Sequence, residues 1–438
     1  MVGQALKGAS LIPLDRLEIN NIHSFGGCVV LEDAAHRYSL PALLAPLSQR
    51  NGALVQALIF GGLLFPPSVA PFYVESRPVR LATFCGLDPD QERFELPDLT
   101  AALRELDQSW PLLRSGLIHP PHAEVRAIIF FKTSRSPDHL ETGALGMDAD
   151  GIPVPLAPEE AGAADPSLNG LARQVAQVAH VALHSKTGPP LLVLDEETAK
   201  RIRVEAMEKQ PYLIELSPES LSALLKQLNQ AQLLHSLRAG GPVEVRHHGE
   251  RYILKPTKDP RVAESQESTM RMGSLKELKE LTEPAPPPSL AADPAGTIPA
   301  AGFQAVRTNV PAERLPAAAA MLWATRAQSA RAAFSPVRIV AASSPMGDGV
   351  ILWRNHQNLQ FLTHRLRCHL QAEWHARGET RPVEEVIREL HEVHRATLTV
   401  DGVVVRRLAT RPSKAVATLL ARLDLWELFE SPDIQTRG

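Results

Sequence analysis

The spacing of apolar residues changes along the chain, and it predicts where helices and strands lie. Residues 1–120 contain apolar runs with helical spacing at 40–47, 54–64 and 99–106, and proline and glycine separate these runs. Pro97-Asp98-Leu99 has an order of residues that often opens a helix. We therefore predict a helical N-terminal domain over residues 1–120.

The next region alternates between strand patterns and helix patterns. Strands are predicted at 125–131, 191–194 and 212–216, a hairpin with an Asp-Gly turn at 144–154, and helices at 170–183 and 197–209. Alternation of this kind is typical of an α/β fold. Residues 121–216 are therefore predicted to form the first part of an α/β core.

The remaining residues divide into four predicted segments. Residues 217–282 form an insertion with a helix start at Ser217-Pro218-Glu219-Ser220, a hairpin at 242–255 around His248-Gly249, and a short charged helix at 274–281. Residues 283–300 are rich in proline and alanine without any period, which indicates a linker. The second part of the core, residues 301–395, holds helices at 315–334, 358–371 and 383–392, and residues 396–438 add a hairpin and a helix.

Composition indicates a globular protein in a reducing compartment. Of the 438 residues, 44% are hydrophobic and 22% are charged, and the three cysteines are too few and too scattered for a disulfide framework. Charged residues interrupt the first apolar residues before a secretory leader can form, and the apolar segment 54–65 is too short to span a bilayer. We expect a cytoplasmic protein without a membrane partner.

Charge is distributed unevenly along the chain. The net charge is −3, but residues 307–438 carry 18 Lys and Arg against 13 Asp and Glu, which leaves −8 for the first 306 residues. If the chain binds nucleic acid, the C-terminal part is favoured, because phosphate contacts need cations. The candidate DNA-binding residues are Arg338, Arg354, Arg365 and Arg367. The alternative is that these arginines form a solvated helix face.

Several motifs, in the same order along the chain, resemble DDE transposases of bacterial insertion sequences. RTNVPAERL at 307–315, with the helix end ARAAF at 330–334, resembles the R-T-x-V-P-A-E-x-L and V-E-R-A-F-R segments of that family. Fainter matches are FFKTS at 130–134, the hairpin at 145–153 and LDEE at 194–197. His356 also precedes His369 by thirteen residues, as in the family's C-terminal helix. The similarity extends from about residue 15 to 430.

The resemblance implies a fold and a chemistry. It implies an RNase H-like mixed sheet flanked by helices, a mostly β insertion, double-stranded DNA as the partner, and three carboxylates that hold two Mg²⁺ ions. Two hard cations need oxygen ligands and negative charge to align the attacking and leaving oxygens of a phosphate.

In this chain two of the three implied carboxylates are replaced by cations. Lys132 stands where the family has its first Asp, Asp195 retains the second, and Arg331 stands where the family has Glu. An ammonium and a guanidinium offer only hydrogen-bond donors, and the three positions sum to +1, so we expect no bound metal and no cofactor. Ion pairs of Lys132 and Arg331 with Asp195 would replace the metals, and the alternative is that both cations lie on the surface.

Other residues compete for the same roles. Asp138, Asp148 and Asp150 would be the replacement carboxylates if the motif aligned a few residues away, although the Asp148 and Asp150 pair is explained by turn chemistry. His247-His248 and the pair His391 and His394 lack a third ligand at zinc spacing. The tryptophans Trp323, Trp353, Trp374 and Trp426 are interpreted as packing residues rather than base-stacking platforms.

Two classes of function fit these observations best. The first is a catalytically inactive, DNA-binding derivative of a transposase, favoured by the basic C-terminal part. The second is a scaffold, as a homodimer or with a protein partner, that has lost DNA binding, favoured by the acidic first 306 residues. An active transposase with displaced carboxylates is a third, weaker alternative.

Overall fold

The structure is a computed structural model, and it describes most of the chain. The described residues are 17–65, 79–87, 96–118, 124–136, 139–156, 188–202, 210–228, 241–256, 303–334, 356–401 and 403–430. The helices predicted at 170–183 and 274–281 and the linker predicted at 283–300 lie outside them.

The described residues form eleven strands and twelve helices. The strands are β1 Leu17–Ser24, β2 Ala127–Ser136, β3 His139–Met147, β4 Pro153–Val154, β5 Leu191–Asp195, β6 Tyr212–Glu215, β7 Val243–His247, β8 Glu250–Pro256, β9 Phe303–Thr308, β10 His394–Val400 and β11 Val403–Ala409. The helices are α1 Gly26–Arg37, α2 Leu40–Leu44, α3 Gln49–Leu64, α4 Leu81–Phe84, α5 Leu96–Ile118, α6 Glu196–Ile202, α7 Pro218–Gln227, α8 Ala317–Phe334, α9 Gln357–Ala376, α10 Val383–Leu390, α11 Lys414–Leu423 and α12 Trp426–Glu430.

A large mixed sheet lies at the centre of the α/β fold, as the sequence predicts. Within the described ranges it has eight strands in the order β4-β3-β2-β5-β6-β9-β8-β7. Strands β2, β5 and β6 run parallel to one another, and the other neighbours pair antiparallel. The hairpin β7-β8 of the predicted insertion joins this sheet through β9, so it extends the core sheet.

Alternation along β2 divides the core between the two faces of the sheet. Ile129 and Phe131 belong to the hydrophobic cluster that includes α8, and the Phe131 ring stacks on Phe334 at 4.5 Å between centroids. Ile128 and Phe130 belong to a second cluster on the opposite face. Because β2 is buried on both faces, its apolar residues are continuous and do not alternate with polar ones.

The helices of the first 120 residues pack against helices from the end of the chain. Helix α3 contacts α5, α9 and α10, and the cluster that contains α8 also contains the buried residues of α1, α3 and α5. The boundary at residue 120 stays a prediction, and in the described residues the hydrophobic core is continuous across it.

A smaller sheet joins the two ends of the chain, and the sequence did not predict its first strand. In this sheet, β1 and β11 pair antiparallel with the two edges of β10. The register of β1 shifts between Asn20 and His23, which indicates a bulge. Such a bulge breaks the alternation that would identify a strand in LEINNIHS.

Most predicted elements agree with the structure, and α5 is longer than predicted. The pattern at 99–106 extends to Leu96–Ile118 although Pro111 lies inside the helix. Leu113 and Leu117 are buried beyond the proline, so packing offsets the lost backbone hydrogen bond. Among the described helices, none combines the length and apolar character that a bilayer span requires.

Candidate functional site

The three parallel strands end at the same edge of the sheet, where the sequence predicted the altered carboxylate site. Ile129 of β2 pairs with Val193 of β5, and Asp195 pairs with Glu215 at the end of β6. Lys132 lies three residues beyond Ile129, and its backbone pairs with Thr142 of β3. The Lys132 side chain lies outside the described atoms. The backbone therefore places Lys132, Asp195 and Glu215 near one another at the carboxyl ends of the strands.

Arg331 reaches this edge from α8 and forms an ion pair. Its Nη1 donates to Oε2 of Glu215, and its Nε donates to the carbonyl oxygen of Phe130 at 3.2 Å. The Arg331 and Glu215 side chains are 19% and 14% exposed, so the pair is largely buried. The predicted ion pair of Arg331 with Asp195 is wrong, because Glu215 is the carboxylate bonded to Arg331. The predicted ion pair of Lys132 with Asp195 stays a prediction.

Asp195 has a different role at the same edge. Its Oδ1 accepts the backbone N–H of Thr198 at 2.7 Å, which caps the first turn of α6. A carboxylate at this position satisfies an otherwise unpaired N–H and interacts favourably with the helix dipole. Asp195 therefore has a structural role that needs no metal ion.

Electrostatics at the site depend on burial and on three charged groups. Burial raises the pKa of Glu215, the charge and hydrogen bond of Arg331 lower it, and the charge of Asp195 raises it again. Nη2 of Arg331 and Oε1 of Glu215 are buried without a hydrogen-bond partner among the described residues. The two side chains are therefore joined by one charged hydrogen bond. Removal of either residue would leave the charge of the other buried without an ion-pair partner.

These residues do not fit a pair of divalent cations. Mg²⁺ needs several oxygen ligands around it, whereas Glu215 is bonded to a guanidinium and Asp195 to a backbone N–H. In the described part of the chain, no group of three His, Cys, Asp or Glu side chains has the arrangement of a metal site.

Sequence reasoning missed Glu215. The residue ends the predicted strand 212–216, but the pattern gives no reason to single it out. Its role follows from strand pairing, because β6 lies beside β5 and Glu215 is the partner of Asp195. The available signal was a charged residue at the end of a parallel strand, where ligands of α/β sheets often bind.

Asp148 and Asp150 are ruled out as replacement carboxylates by their place in the sheet. They follow Met147, which pairs with Ala127 at the start of β2, and Ala127 pairs with Leu191, four residues before Asp195. Four strand residues span about 13 Å, so these aspartates lie at the opposite end of the sheet. Asp148 Oδ1 accepts the N–H groups of Asp150 and Ile152, which confirms the turn chemistry. Asp138 lies outside the described residues.

Two of the four predicted DNA-binding arginines, Arg365 and Arg367, lie in the part of the chain that the structure describes. Nη1 of Arg365 donates to the carbonyl oxygen of Pro153, and Arg367 pairs with Glu384 at 2.8 Å. Both side chains are thus engaged within the protein. Arg338 and Arg354 lie outside the described residues.

The RTNVP motif that carries the resemblance ties strands together. Thr308 donates through Oγ1 to the carbonyl oxygen of Tyr212 at 2.6 Å, and Asn309 accepts the N–H of Tyr212 at 2.9 Å. Arg251, on β8, donates to the carbonyl oxygens of Val310 and Leu315. These bonds fix the segment that leads from β9 into α8, and they thereby set the position of Arg331.

The histidines and tryptophans have packing or local roles. His247 bonds Gln227 at 2.7 Å, and His248-Gly249 forms the two-residue turn of the predicted hairpin, with φ of 48° and 80°. Trp374 is fully buried, and Trp323 and Trp426 pack against the same cluster. Trp353 lies outside the described residues.

Cys368 and His364 form a close pair without nucleophilic character. Their Sγ and Nε2 atoms are 3.6 Å apart. Burial raises the pKa of Cys368 to about 12 and lowers the pKa of His364 to about 3. At neutral pH the thiol stays protonated and the imidazole stays neutral, so the pair does not resemble an activated cysteine.

Comparisons of the chain with protein-family models, with curated proteins and with solved structures find no match.

Proposed function

We propose that this chain is a catalytically inactive derivative of DDE transposases that binds double-stranded DNA. The observation that carries the proposed loss of catalysis is the Arg331–Glu215 ion pair beside Asp195. Two-metal chemistry would need oxygen ligands at this edge, and a guanidinium held between Glu215 and the Phe130 carbonyl excludes cations by charge and by volume.

The arrangement of the sheet supports an RNase H-like origin. Strands β2, β3 and β4 form an antiparallel run, and β5 and β6 follow on the other side of β2, parallel to it. An RNase H-like sheet has this order. The β7-β8 hairpin lies in sequence between Asp195 and Arg331, where the resemblance implies a β insertion.

Cations other than the predicted arginines are better placed to contact DNA. Arg365 and Arg367 are engaged within the protein, whereas Arg314, Arg388, Arg411 and Lys414 belong to the same basic part of the chain and are exposed. Exposed cations can neutralise phosphates without breaking internal bonds. Contacts with the phosphates along a duplex are therefore assigned to this exposed set.

Internal pairing of arginines favours a scaffold as the second candidate. Arg367 pairs with Glu384, Arg377 with Glu373, and Arg381 with Glu379 and Glu389, so much of the C-terminal positive charge is neutralised internally. If the remaining exposed cations are too few to hold a duplex, the fold would serve protein contacts instead.

A titration of the full chain against duplex DNA at several salt concentrations separates the two candidates. We expect measurable binding at low salt, with a log–log slope of about −0.9 for each phosphate contacted, and no nicking with Mg²⁺ or Mn²⁺. Arg411→Met with Lys414→Met should weaken binding and make the slope less steep, whereas Lys200→Met, in the acidic part, should change neither. No detectable binding at low salt would replace the DNA-binding proposal with the scaffold.

A further inference from the structure

A cleft of about 920 Å³ lies away from the Arg331 site, where α8 and α9 face the β3–β4 turn. Arg326 and Arg365 line it from the two helices, Asp148 and Asp150 line it from the turn, and His369 and Tyr38 form another wall. We call it the Arg326/Arg365 cleft. Its volume is in the range of pockets that hold small organic ligands.

The two guanidinium groups in the cleft are bonded only to neutral partners. Arg326 donates to the carbonyl oxygens of Ala149 and Asp150, and Arg365 donates to the carbonyl oxygen of Pro153. Among the residues that the structure describes, neither guanidinium forms a salt bridge. Burial lowers the pKa of both arginines, because their charge is partly removed from water without an ion-pair partner.

Two of the three acidic side chains of the cleft, those of Asp148 and Glu373, are held by other bonds, and the third, Asp150, acts on Arg326 through its charge. Asp148 is close enough for its charge to act on both arginines, but its Oδ1 accepts the N–H groups of Asp150 and Ile152. Glu373 accepts hydrogen bonds from Arg37, Arg377 and Tyr38. The positive charge of Arg326 and Arg365 is thus balanced only at a distance.

An aromatic wall stands beside these cations. The His369 ring stacks on Tyr38 with 4.3 Å between centroids and 18° between planes. Burial lowers the pKa of His369 to about 4, so at neutral pH this wall is flat and uncharged. It offers a surface for a planar, uncharged group and adds no cation to the cleft.

From this geometry we propose that the Arg326/Arg365 cleft binds a phosphate monoester, with the phosphate on the two guanidinium groups. Guanidinium N–H groups match phosphate oxygens in shape and charge, and an anion would supply the ion-pair partner that both arginines lack; Arg326 otherwise has only carbonyl oxygens and the ring of Trp323, 4.6 Å away, as partners. The volume and the aromatic wall suit a mononucleotide, either free or at the 5′ end of a DNA strand. This inference does not depend on the proposed DNA-binding function.

Calorimetric titration of the full chain with inorganic phosphate, deoxyadenosine monophosphate and deoxyadenosine tests the proposal. We expect the two phosphate compounds to bind saturably and deoxyadenosine not to bind. Arg365→Met should weaken binding by about tenfold or more, the size of one lost charged hydrogen-bonding group. Asp148→Asn should tighten it several-fold, because Asn keeps the Oδ1 acceptor of the turn and removes the competing charge. Lys200→Met, outside the cleft and outside the proposed DNA-binding set, should change nothing.

The Asp148→Asn variant keeps the test decisive if Arg365→Met does not fold, since a gain in affinity cannot come from unfolding. Absence of saturable binding to the wild-type chain at millimolar concentrations, or equal affinity of wild type and Asp148→Asn, would overturn the proposal. Duplexes with a 5′ phosphate or a 5′ hydroxyl identify the source of the phosphate. A preference for the phosphorylated duplex that Arg365→Met removes points to a DNA end, and equal binding of both duplexes points to a free nucleotide.

Discussion

Replacing Arg331 by methionine should lower the free energy of unfolding by about 3–5 kcal/mol, the usual cost of removing one partner of a buried ion pair. The variant leaves Glu215 as a buried carboxylate beside Asp195, with no cation bonded to it. Urea denaturation followed by circular dichroism measures the change. A loss below about 1 kcal/mol would mean that the pair is solvated and does not hold this edge of the sheet.

A double variant separates the ion pair from the packing of Arg331. Arg331→Met combined with Glu215→Leu should recover most of the lost stability, because apolar residues of similar volume often replace a buried ion pair without cost. If the two single losses simply add, the residues are not coupled and the site has been misinterpreted.

The decrease in the free energy of unfolding caused by Arg331→Met should also depend on pH. The pKa of Glu215 is raised by burial, and without Arg331 it should rise further. A carboxyl group whose pKa is higher in the folded state than in the unfolded state destabilises the fold at pH values above its folded-state pKa. This loss of stability disappears as the pH falls below the pKa that the group has in the unfolded state. The difference between variant and wild type should therefore be smaller at about pH 4 than at pH 8.

Replacing Glu379 by glutamine should have the second-largest effect, about 2–4 kcal/mol. Glu379 is only 3% exposed, and it accepts bonds from the backbone N–H, Nε and Nη2 of Arg381 and from Nη1 of Arg422. It thereby joins the segment between α9 and α10 to α11. Thermal and urea denaturation measure the loss. Glu197→Gln is the matched control, since Glu197 pairs with Arg201 but is 52% exposed, and we expect it to cost less than about 1 kcal/mol.

The same glutamate gives a pH dependence of defined sign. Hydrogen bonds from Arg381 are the main reason that the pKa of Glu379 falls to about 2 from an ordinary value of 4.5. A carboxyl group whose pKa is lowered by folding stabilises the fold at pH values above the pKa of the unfolded state. This contribution is lost as the pH falls from about 4.5 to about 2. Wild-type stability should fall across this window, and the Glu379→Gln curve should be flatter there. Parallel curves would show that Glu379 is not held as an anion.

The elements that the sequence predicts well have periodic patterns that agree with their packing. The helices ending at Leu64 and Phe334 and the hairpin around His248-Gly249 were predicted from local spacing alone. Strand β1 was not, because its bulge breaks the alternation and its partner β10 lies almost four hundred residues away. A short segment of sequence contains no signal for pairing with a strand so far away along the chain.

The candidate site was predictable in position but not in detail. The motifs correctly placed Asp195 at a strand end and Arg331 on the helix that follows β9. The partner of Arg331 was missed, because it depends on β6 lying beside β5. The same limit applies to Asp148 and Asp150, which are only a few residues from the motif but lie at the far end of the sheet because β3 runs antiparallel to β2.

The most direct test is a calorimetric titration of the full chain with Mn²⁺, beside the Asp195→Asn variant. Arg331 is bonded to Glu215, and Asp195 caps α6. We therefore expect no saturable binding up to millimolar Mn²⁺ and no difference between wild type and Asp195→Asn. The variant Lys132→Asp with Arg331→Glu supplies oxygen ligands at both positions and should gain affinity if it folds. Saturable binding of Mn²⁺ to the wild-type chain that Asp195→Asn abolishes would contradict the claim that the ion pair of Arg331 with Glu215 leaves no metal site at this edge.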